Sequence, residues 1–477
     1  ITEKNPLPFI TGTICAHNCM SKCTRNFYET PVHIREMKLK AAENGYEALL
    51  EKLPVPAVTK AGKAAVIGGG PAGMAAAYFL RKGGMEVTLF EAKESLGGVV
   101  RHVIPPFRIS EDAIEKDAEI LRKMQVDIRC NTKVESLEEL KKQGYTKIVL
   151  AVGAPVQGSL KLESGMPKNA LEFLAEFKQT DGKVSLGKHV VVIGGGNTAM
   201  DTARAAKRNA GVEHVYLIYR RTRRYMPADE EELVMALEDG VEFKELLSPV
   251  KLENGQLFCK VMQLSDYDVS GRRGVTETGE TVWVPADTVI AAVGEKVPTD
   301  WYQANGLAVS EKGRLYVDEK TLKTSDDNVY AAGDGLYGPA TVVEAIRDVR
   351  KVAEAIAGEV LARDFDKLAE EEKVYAKRGV LKEEQKETKE AGRCLGCSTI
   401  CENCVEVCPN RANIAIQVPG MEKHQIIHVD YLCNECGNCK SFCPYSSAPY
   451  LDKFTLFETE ADMENSKNQG FAVLDQE

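Results

Sequence analysis

Two stretches of this chain read almost alike: AAVIGGGPAGMAAAYFL from residue 64 and VVVIGGGNTAMDTARAA from residue 190. Each is a short β-branched run, a glycine turn and an alanine-rich helix, the unit that opens a dinucleotide-binding fold. The first glycine makes the tight turn and the second lets backbone approach a pyrophosphate. The helix start offers the anion unpaired N–H groups and the positive end of its dipole. In the first copy the positions are Gly68, Gly70 and Gly73, with Pro71 and Ala72 opening the helix. In the second they are Gly194, Gly196 and Ala199, with Asn197 and Thr198 between.

The strands that follow separate the two copies. EVTLFEA ends in Glu91, where a carboxylate accepts hydrogen bonds from a ribose diol, which suits the adenosine half of FAD or NAD. VYLIYRR ends instead in Arg220 and Arg221, and guanidinium there matches a 2′-phosphate through charge-assisted bonds, favouring NADP(H) over NAD(H). Arg223 and Arg224 reinforce that reading, and a solvated basic loop is its plainer alternative. Different ribose-site chemistry implies two different dinucleotides. The run NVYAAGDGLYGPATVVEAI favours a flavin: a strand delivers Gly333 and Asp334, and a helix begins near Ala340, whose Thr341 and Val342 amides would stabilise anionic reduced flavin. For Asp334 the alternative is an ordinary turn residue before a helix.

The order of these motifs nests one fold in the other. FAD-binding segments are expected at 60–154 and 293–365, with an NAD(P)H-binding domain at 155–292 between them. A charge-dense linker follows at 366–393.

Twelve of the 14 cysteines fall in three groups. CNECGNCKSFCP sets Cys433, Cys436, Cys439 and Cys443 at the C-x2-C-x2-C-x3-C-P spacing of a cubane iron–sulfur cluster, and CLGCSTICENCVEVCP ends likewise in Cys408 and Pro409. The fourth cysteine of such a run ligates the neighbouring cluster. Cys433, Cys436, Cys439 and Cys408 are thus expected on one [4Fe–4S] centre, and Cys397, Cys401, Cys404 and Cys443 on another. The upstream spacing is irregular, which leaves Cys394 as an alternative to Cys397. Disulfides, or zinc on paired C-x2-C elements, would use the same residue types. Cys15, Cys19 and Cys23 form a C-x3-C-x3-C group at the start, while Cys130 and Cys259 stand alone as small core residues. His17, between two of the first cysteines, reads as solvated rather than catalytic.

With 61 Lys and Arg against 71 Asp and Glu, the net charge of −10 argues against nucleic acid or an anionic membrane as partner. No stretch approaches the roughly 18 apolar residues that span a bilayer, and ITEKNPLPF is not a signal peptide, so the cytoplasm is the expected compartment. Residue 1 is Ile, as in the remainder of a longer polypeptide.

TGTICAHNCMSKCTR, PVHIREM, the two glycine motifs, SLGGVVRHVIPPFRIS, YRRTRRYMPADEEE and AAGDG, in that order, resemble the glutamate synthase small-subunit superfamily, which includes the amino-terminal half of dihydropyrimidine dehydrogenase. The resemblance covers about residues 5–365. With the terminal cysteine runs added, the chain resembles the carboxy-terminal half of the YgfK-type reductase subunits. The implied fold class is α/β: two nested Rossmann-like domains, an amino-terminal helical Fe–S segment at 1–59, a ferredoxin-like α+β domain at 394–450 and an extension at 451–477. KFTLF and FAVL in that extension read as short strands. The implied activity is an NADPH-to-FAD hydride step followed by transfer into iron–sulfur clusters, with Gly98 in the FAD site. Arg108 is expected either at the flavin or at a domain interface. Cys15, Cys19 and Cys23 match family ligands, but the family's earlier four-cysteine group would precede residue 1. Lys38 stands where relatives place a Glu or Gln ligand, with Glu36 and His33 as nearby substitutes. The amino-terminal cluster therefore needs ligands from another segment or subunit. The terminal reduction, of selenate, a purine-like heterocycle or the substrate of a molybdenum hydroxylase-type partner, falls to an upstream segment or a partner subunit. Flavin disulfide reductases share the nested folds but need a redox cysteine pair, which neither GGVVRHVIPPFRIS nor residues 194–239 supply. A non-catalytic redox scaffold is the remaining alternative.

Overall fold

The computed structural model describes every residue except 28, 268–272, 359–375, 378, 386–387, 397–400, 420, 422–423, 444, 446 and 475–477. The chain divides into two units: Ile1–Ala16 with Ala42–Leu361, and His17–Ala41 with Ala362–Glu477. The expected single segment at 1–59 is thus split, and the helix Ile34–Lys52 runs through the second division point.

The first unit holds two parallel sheets of matching topology. One runs Val329–Ala331, Tyr145–Leu150, Lys63–Ile67, Glu86–Phe90, Asp127–Arg129 in space. The other runs Lys168–Asn169, Thr288–Ala291, His189–Ile193, His214–Tyr219, Glu242–Glu245. The central strands KAAVI and HVVVI are buried along all but their first residue, as strands covered on both faces must be. Each glycine turn leads into its helix, Pro71–Lys82 or Asn197–Arg208, and the small Ala75, Ala76, Ala77, Ala203, Ala205 and Ala206 are all buried. The chain crosses between the sheets at the antiparallel pair Val156–Gln157 and Glu295–Lys296. An antiparallel ribbon, Leu247–Glu253, Gln256–Tyr267 and Arg273–Pro285, was not foreseen. It buries Leu257 and Cys259 in an apolar cluster with Val191 and Ile218. Burial pushes the Cys259 thiol up to about 12, in keeping with a core residue.

At the start of this unit, the helix Pro8–Ile14 directs its Phe9 and Ile10 N–H groups at the buried Asp117 carboxylate, at 3.2 and 2.8 Å. A carboxylate at a helix start satisfies orphan donors and complements the dipole.

The second unit carries the sheet Asn413–Ile416, Gln425–Val429, Phe454–Phe457, Gly470–Ala472, so FTLF of the first expected strand and Phe471 and Ala472 of the second lie in strands, while Val473 and Leu474 do not. Its core includes charge. Arg25, wholly buried, donates from Nε to the Arg393 carbonyl and from Nη1 to the Val380 carbonyl, both at 2.7 Å, and pairs with Glu29. Arg393, also buried, pairs with Glu390 at 2.5 Å and donates to the Thr30 and Pro31 carbonyls. Glu390 in turn accepts from the His33 and Gln385 N–H groups. Over its described residues, the expected linker at 366–393 is therefore folded against residues 25–33. Among the described residues, no helix is long and apolar enough to cross a membrane.

Candidate functional site

The first glycine loop is built by close backbone approach. Gly68 has φ +105°, and a Cβ at Gly73 would lie 1.7 Å from the Gly68 carbonyl oxygen, so the helix reaches the turn only because residue 73 lacks one. A Cβ at Gly98 would lie 2.8 Å from the Gly70 Cα. Glu91, at the end of the next strand, is buried; its two oxygens accept from the Gly69 N–H at 2.6 Å and the Lys93 N–H at 2.7 Å. Gly68, Gly70, Pro71, Ala72, Glu91, Gly98, Asp334, Thr341 and Val342 line one cavity of about 560 Å³. Gly73 and Gly333 stand behind it, and a Cβ at Gly333 would meet the Ala72 Cβ at 2.8 Å. Sequence reasoning missed Lys93, Val99, Val100, Val103, Ile104, and Gly153 to Pro155 of the wall. The run KIVLAVGA was the available signal for Gly153 to Pro155.

At the far wall, Thr341 caps the helix Val342–Ala357 with Glu344 in a reciprocal capping box. Asp334 accepts from the Ala340 N–H at 3.0 Å. Burial pushes its carboxyl up to about 6, with Glu295, Glu344 and Asp348 adding to the rise and the Ala340 N–H opposing it. A buried carboxylate at a strand end, a backbone cradle that excludes side chains and a helix start on one cavity fit a flavin dinucleotide.

In the second loop Gly194 has φ +157°, and its Cβ would meet the Ala292 carbonyl oxygen at 2.4 Å, whereas nothing lies within 4 Å of a Cβ at Gly196. That open side is where an anion can meet the start of the helix Asn197–Arg208. Ala199 is buried beneath it, and Thr198 follows Asn197 in the first turn. Asn197 exchanges hydrogen bonds with Asp229, donating at 3.1 Å and accepting at 2.9 Å. The arginines part company: Arg221 turns inward, donating from Nε to the Arg273 carbonyl at 2.7 Å, and Arg223 pairs with Glu230. Arg220 and Arg224 are exposed, without an ion-pair partner among the described residues.

Arg108 takes the interface reading. It is not among the residues lining the cavity at the first glycine loop; its Nη1 meets Asp201 at 3.0 Å and also Glu232, joining the loop after His102 to the helices Asn197–Arg208 and Glu230–Glu238. Burial pushes Asp201 up, against the pull of Arg108. Phe107 beside it lies under the guanidinium groups of Arg204 and Arg208, at 5.1 and 4.2 Å.

In the second unit Cys408, Cys433, Cys436 and Cys439 line a single cavity with Asn413 and Tyr450. The Cys408 and Cys433 sulfurs accept from the Ala412 and Glu435 N–H groups, at 3.2 and 3.3 Å. Burial pushes the Cys433 thiol up, and Cys408 and Cys439 add to the rise. Cys404 is buried and pushed up to about 11 by burial, with Cys401 and Cys439 adding to the rise, while Cys443 is half-buried. Cys397 lies outside the described residues. Its alternative, Cys394, is exposed, and its sulfur accepts from the Gly396 N–H at 3.4 Å, from two residues along, as Cys433 does. Among the described residues no group of three or more His, Cys, Asp or Glu is gathered to hold a single metal ion. Of the first cysteines, Cys15 is buried, Cys19 exposed and Cys23 half-buried. His33 is paired with Glu384, and Glu36 with Arg35.

Residues 62–348 match the family model described as pyridine nucleotide-disulphide oxidoreductase. The chain is 40% identical over its whole length to "Putative oxidoreductase YgfK" of Escherichia coli K12, of which it covers 48%. It thus spans about half the length of that relative. It is 34% identical to "NADPH-Fe(3+) oxidoreductase subunit beta" of Geobacter sulfurreducens over 75% of this chain and 58% of that one. Its identity to "Glutamate synthase [NADPH] small chain" of E. coli K12 is 33%, over 74% and 81%. The fold recurs in Mycobacterium tuberculosis FprA in complex with NADPH, with a TM-score of 0.51 at 20% identity, over 62% of this chain and 85% of that one. The chain therefore belongs to the pyridine nucleotide-disulphide oxidoreductase family, in the group that includes the glutamate synthase small chain.

Proposed function

We propose that this chain is the NADPH-oxidising subunit of a redox complex, taking electrons in pairs and releasing them singly. Its support is the pair of glycine loops on one unit, with a carboxylate at one ribose position and guanidinium groups at the other. When bound, FAD would supply the chemistry that couples hydride transfer to one-electron transfer. The protein's part is to hold and orient. Glu91 takes the ribose of FAD, the Gly70–Gly98 approach admits its pyrophosphate, and the helix starting at Val342 meets developing negative charge. Arg220 and Arg224 select NADPH at the second loop. The gathering of Cys408 with Cys433, Cys436 and Cys439 supports a [4Fe–4S] centre there, with a second on Cys401, Cys404 and Cys443 completed by Cys397 or Cys394. Cys15, Cys19 and Cys23 contribute to an amino-terminal cluster whose other ligands come from elsewhere. The electrons leave to a partner subunit or upstream segment of the molybdenum hydroxylase type, in the cytoplasm. The relatives' names, which include subunits of NADPH-Fe(3+) oxidoreductase and NADP(+)-dependent formate dehydrogenase, favour assembly with a partner.

Anaerobic addition of NADPH to the holo-protein is expected to bleach the visible flavin band and then the broader cluster absorption. An unchanged spectrum refutes the proposal. Losing charge-assisted bonds worth about 1.5–3 kcal/mol, the Arg220→Ala/Arg224→Ala protein should need at least about tenfold more NADPH for half-maximal flavin reduction, with little change for NADH. Equal losses for both would mean these arginines do not read the 2′-phosphate. Cys408→Ser should lower iron by about four atoms per chain, by metal analysis, with flavin content unchanged.

A further inference from the structure

A second large cavity of the first unit, about 570 Å³, opens where the chain crosses between the two sheets. We propose that it binds a small planar ring carrying an anionic group, a ligand distinct from the two dinucleotides. Its size falls within the range of about 300–1,000 Å³ typical of small-molecule sites. Three cations line it, Lys296, Lys312 and Arg314, and none has a hydrogen-bond or ion-pair partner for its charged group among the described residues. Elsewhere on this unit lysines are paired, Lys323 with Asp327 and Lys141 with Asp326, whereas here three unpaired cations share one cavity wall. Against the three stands one exposed carboxylate, Asp300. Glu295 is the second carboxylate of the wall, half-buried, and burial pushes its carboxyl up.

The cations are held on a built turn. The Ser310 N–H donates to the Arg314 carbonyl at 2.7 Å, and Thr299 Oγ1 donates to the Gly313 carbonyl at 2.8 Å. Those bonds tie the turn that carries Lys312 and Arg314 to the helix Thr299–Ala304, which carries Trp301. Trp301 and Tyr337 add aromatic surface to the wall, so charge and ring are recognised together. The cavity also adjoins the flavin slot. Pro155 and Ala340 line that slot, while Val156 and Gly338 line this cavity.

Calorimetric titration of the holo-protein with benzoate, inorganic phosphate and benzyl alcohol separates the contributions of ring and charge. Benzoate should bind with one-to-one stoichiometry and quench Trp301 fluorescence, the quench vanishing in Trp301→Phe. The other two probes should bind at least about tenfold more weakly, and so should benzoate to Lys312→Ala/Arg314→Ala or to Lys296→Ala/Arg314→Ala, provided flavin content and circular dichroism are unchanged. Phosphate or benzyl alcohol binding as tightly as benzoate, full benzoate affinity in both double variants, or no binding by any probe would overturn the proposal. NADPH-driven flavin reduction is followed in the same samples, so a failure of electron transfer with benzoate binding intact faults the proposed function alone.

Discussion

Exchanging Gly73 for alanine is expected to strip the protein of its flavin. The added methyl carbon would sit 1.7 Å from the Gly68 carbonyl oxygen, backbone against backbone, with no flexible side chain to yield. Ordinary overpacking already costs about 1–3 kcal/mol. A deeper overlap must displace the helix start or the turn, and each 1.4 kcal/mol lost from binding is about tenfold in affinity. Flavin per chain after purification should fall by at least about tenfold, measured on the released chromophore. Retention of more than half would mean that the loop relaxes without cost to the slot. A glycine of the other copy gives the contrast: a Cβ added by Gly196→Ala meets nothing within 4 Å and should leave flavin content and folding as they were. Its effect should be confined to NADPH, since it narrows the approach of that dinucleotide alone.

Arg393→Ala should be the most destabilising single change in the second unit. It leaves Glu390 buried without its cation and the Thr30 and Pro31 carbonyls without their donor. Removing one partner of a buried ion pair costs about 3–5 kcal/mol, mostly because the abandoned charge stays in a medium that solvates it poorly. Denaturant unfolding of the intact chain should therefore show an early transition that takes the terminal sheet and any iron with it, while flavin is released at its usual midpoint. A single unshifted transition would show that water reaches Glu390 and replaces the guanidinium. Arg393→Met/Glu390→Met, which removes both charges at similar volume, should recover much of the loss.

The contrast between these two sites explains what could be read from residue order. Gly68, Gly70 and Glu91 answer to local geometry, a turn and the end of the next strand, so their spacing already carries the information. The same holds for Cys433, Cys436 and Cys439, where one short loop supplies three sulfurs. The Arg25–Arg393 contact joins residues 368 apart, and neither neighbourhood differs from a solvated charged surface. That is why residues 366–393 looked like a linker. Arg108 was ambiguous for a related reason, since its partners Asp201 and Glu232 lie on helices whose packing no short motif encodes. The ribbon at 247–285 escaped notice because its middle and last strands are mostly exposed or half-buried and lack a clean apolar alternation. In Arg220 and Arg221 the charge pattern was plain, but only the fold distinguishes the exposed side chain from the one turned inward.

The path of the polypeptide restricts how such a protein can be taken apart or assembled by recombination. The chain changes unit after Ala16, after Ala41 and after Leu361. One nick at the last of these points frees no module, because Arg25 still grips the Val380 and Arg393 carbonyls across the cut. A gene fusion that appended only residues beyond 361 to a foreign flavoprotein would leave Arg393 and Glu390 without the strip at 25–33 that completes them. Terminal cysteine modules of this kind are therefore exchangeable only together with a matching amino-terminal strip.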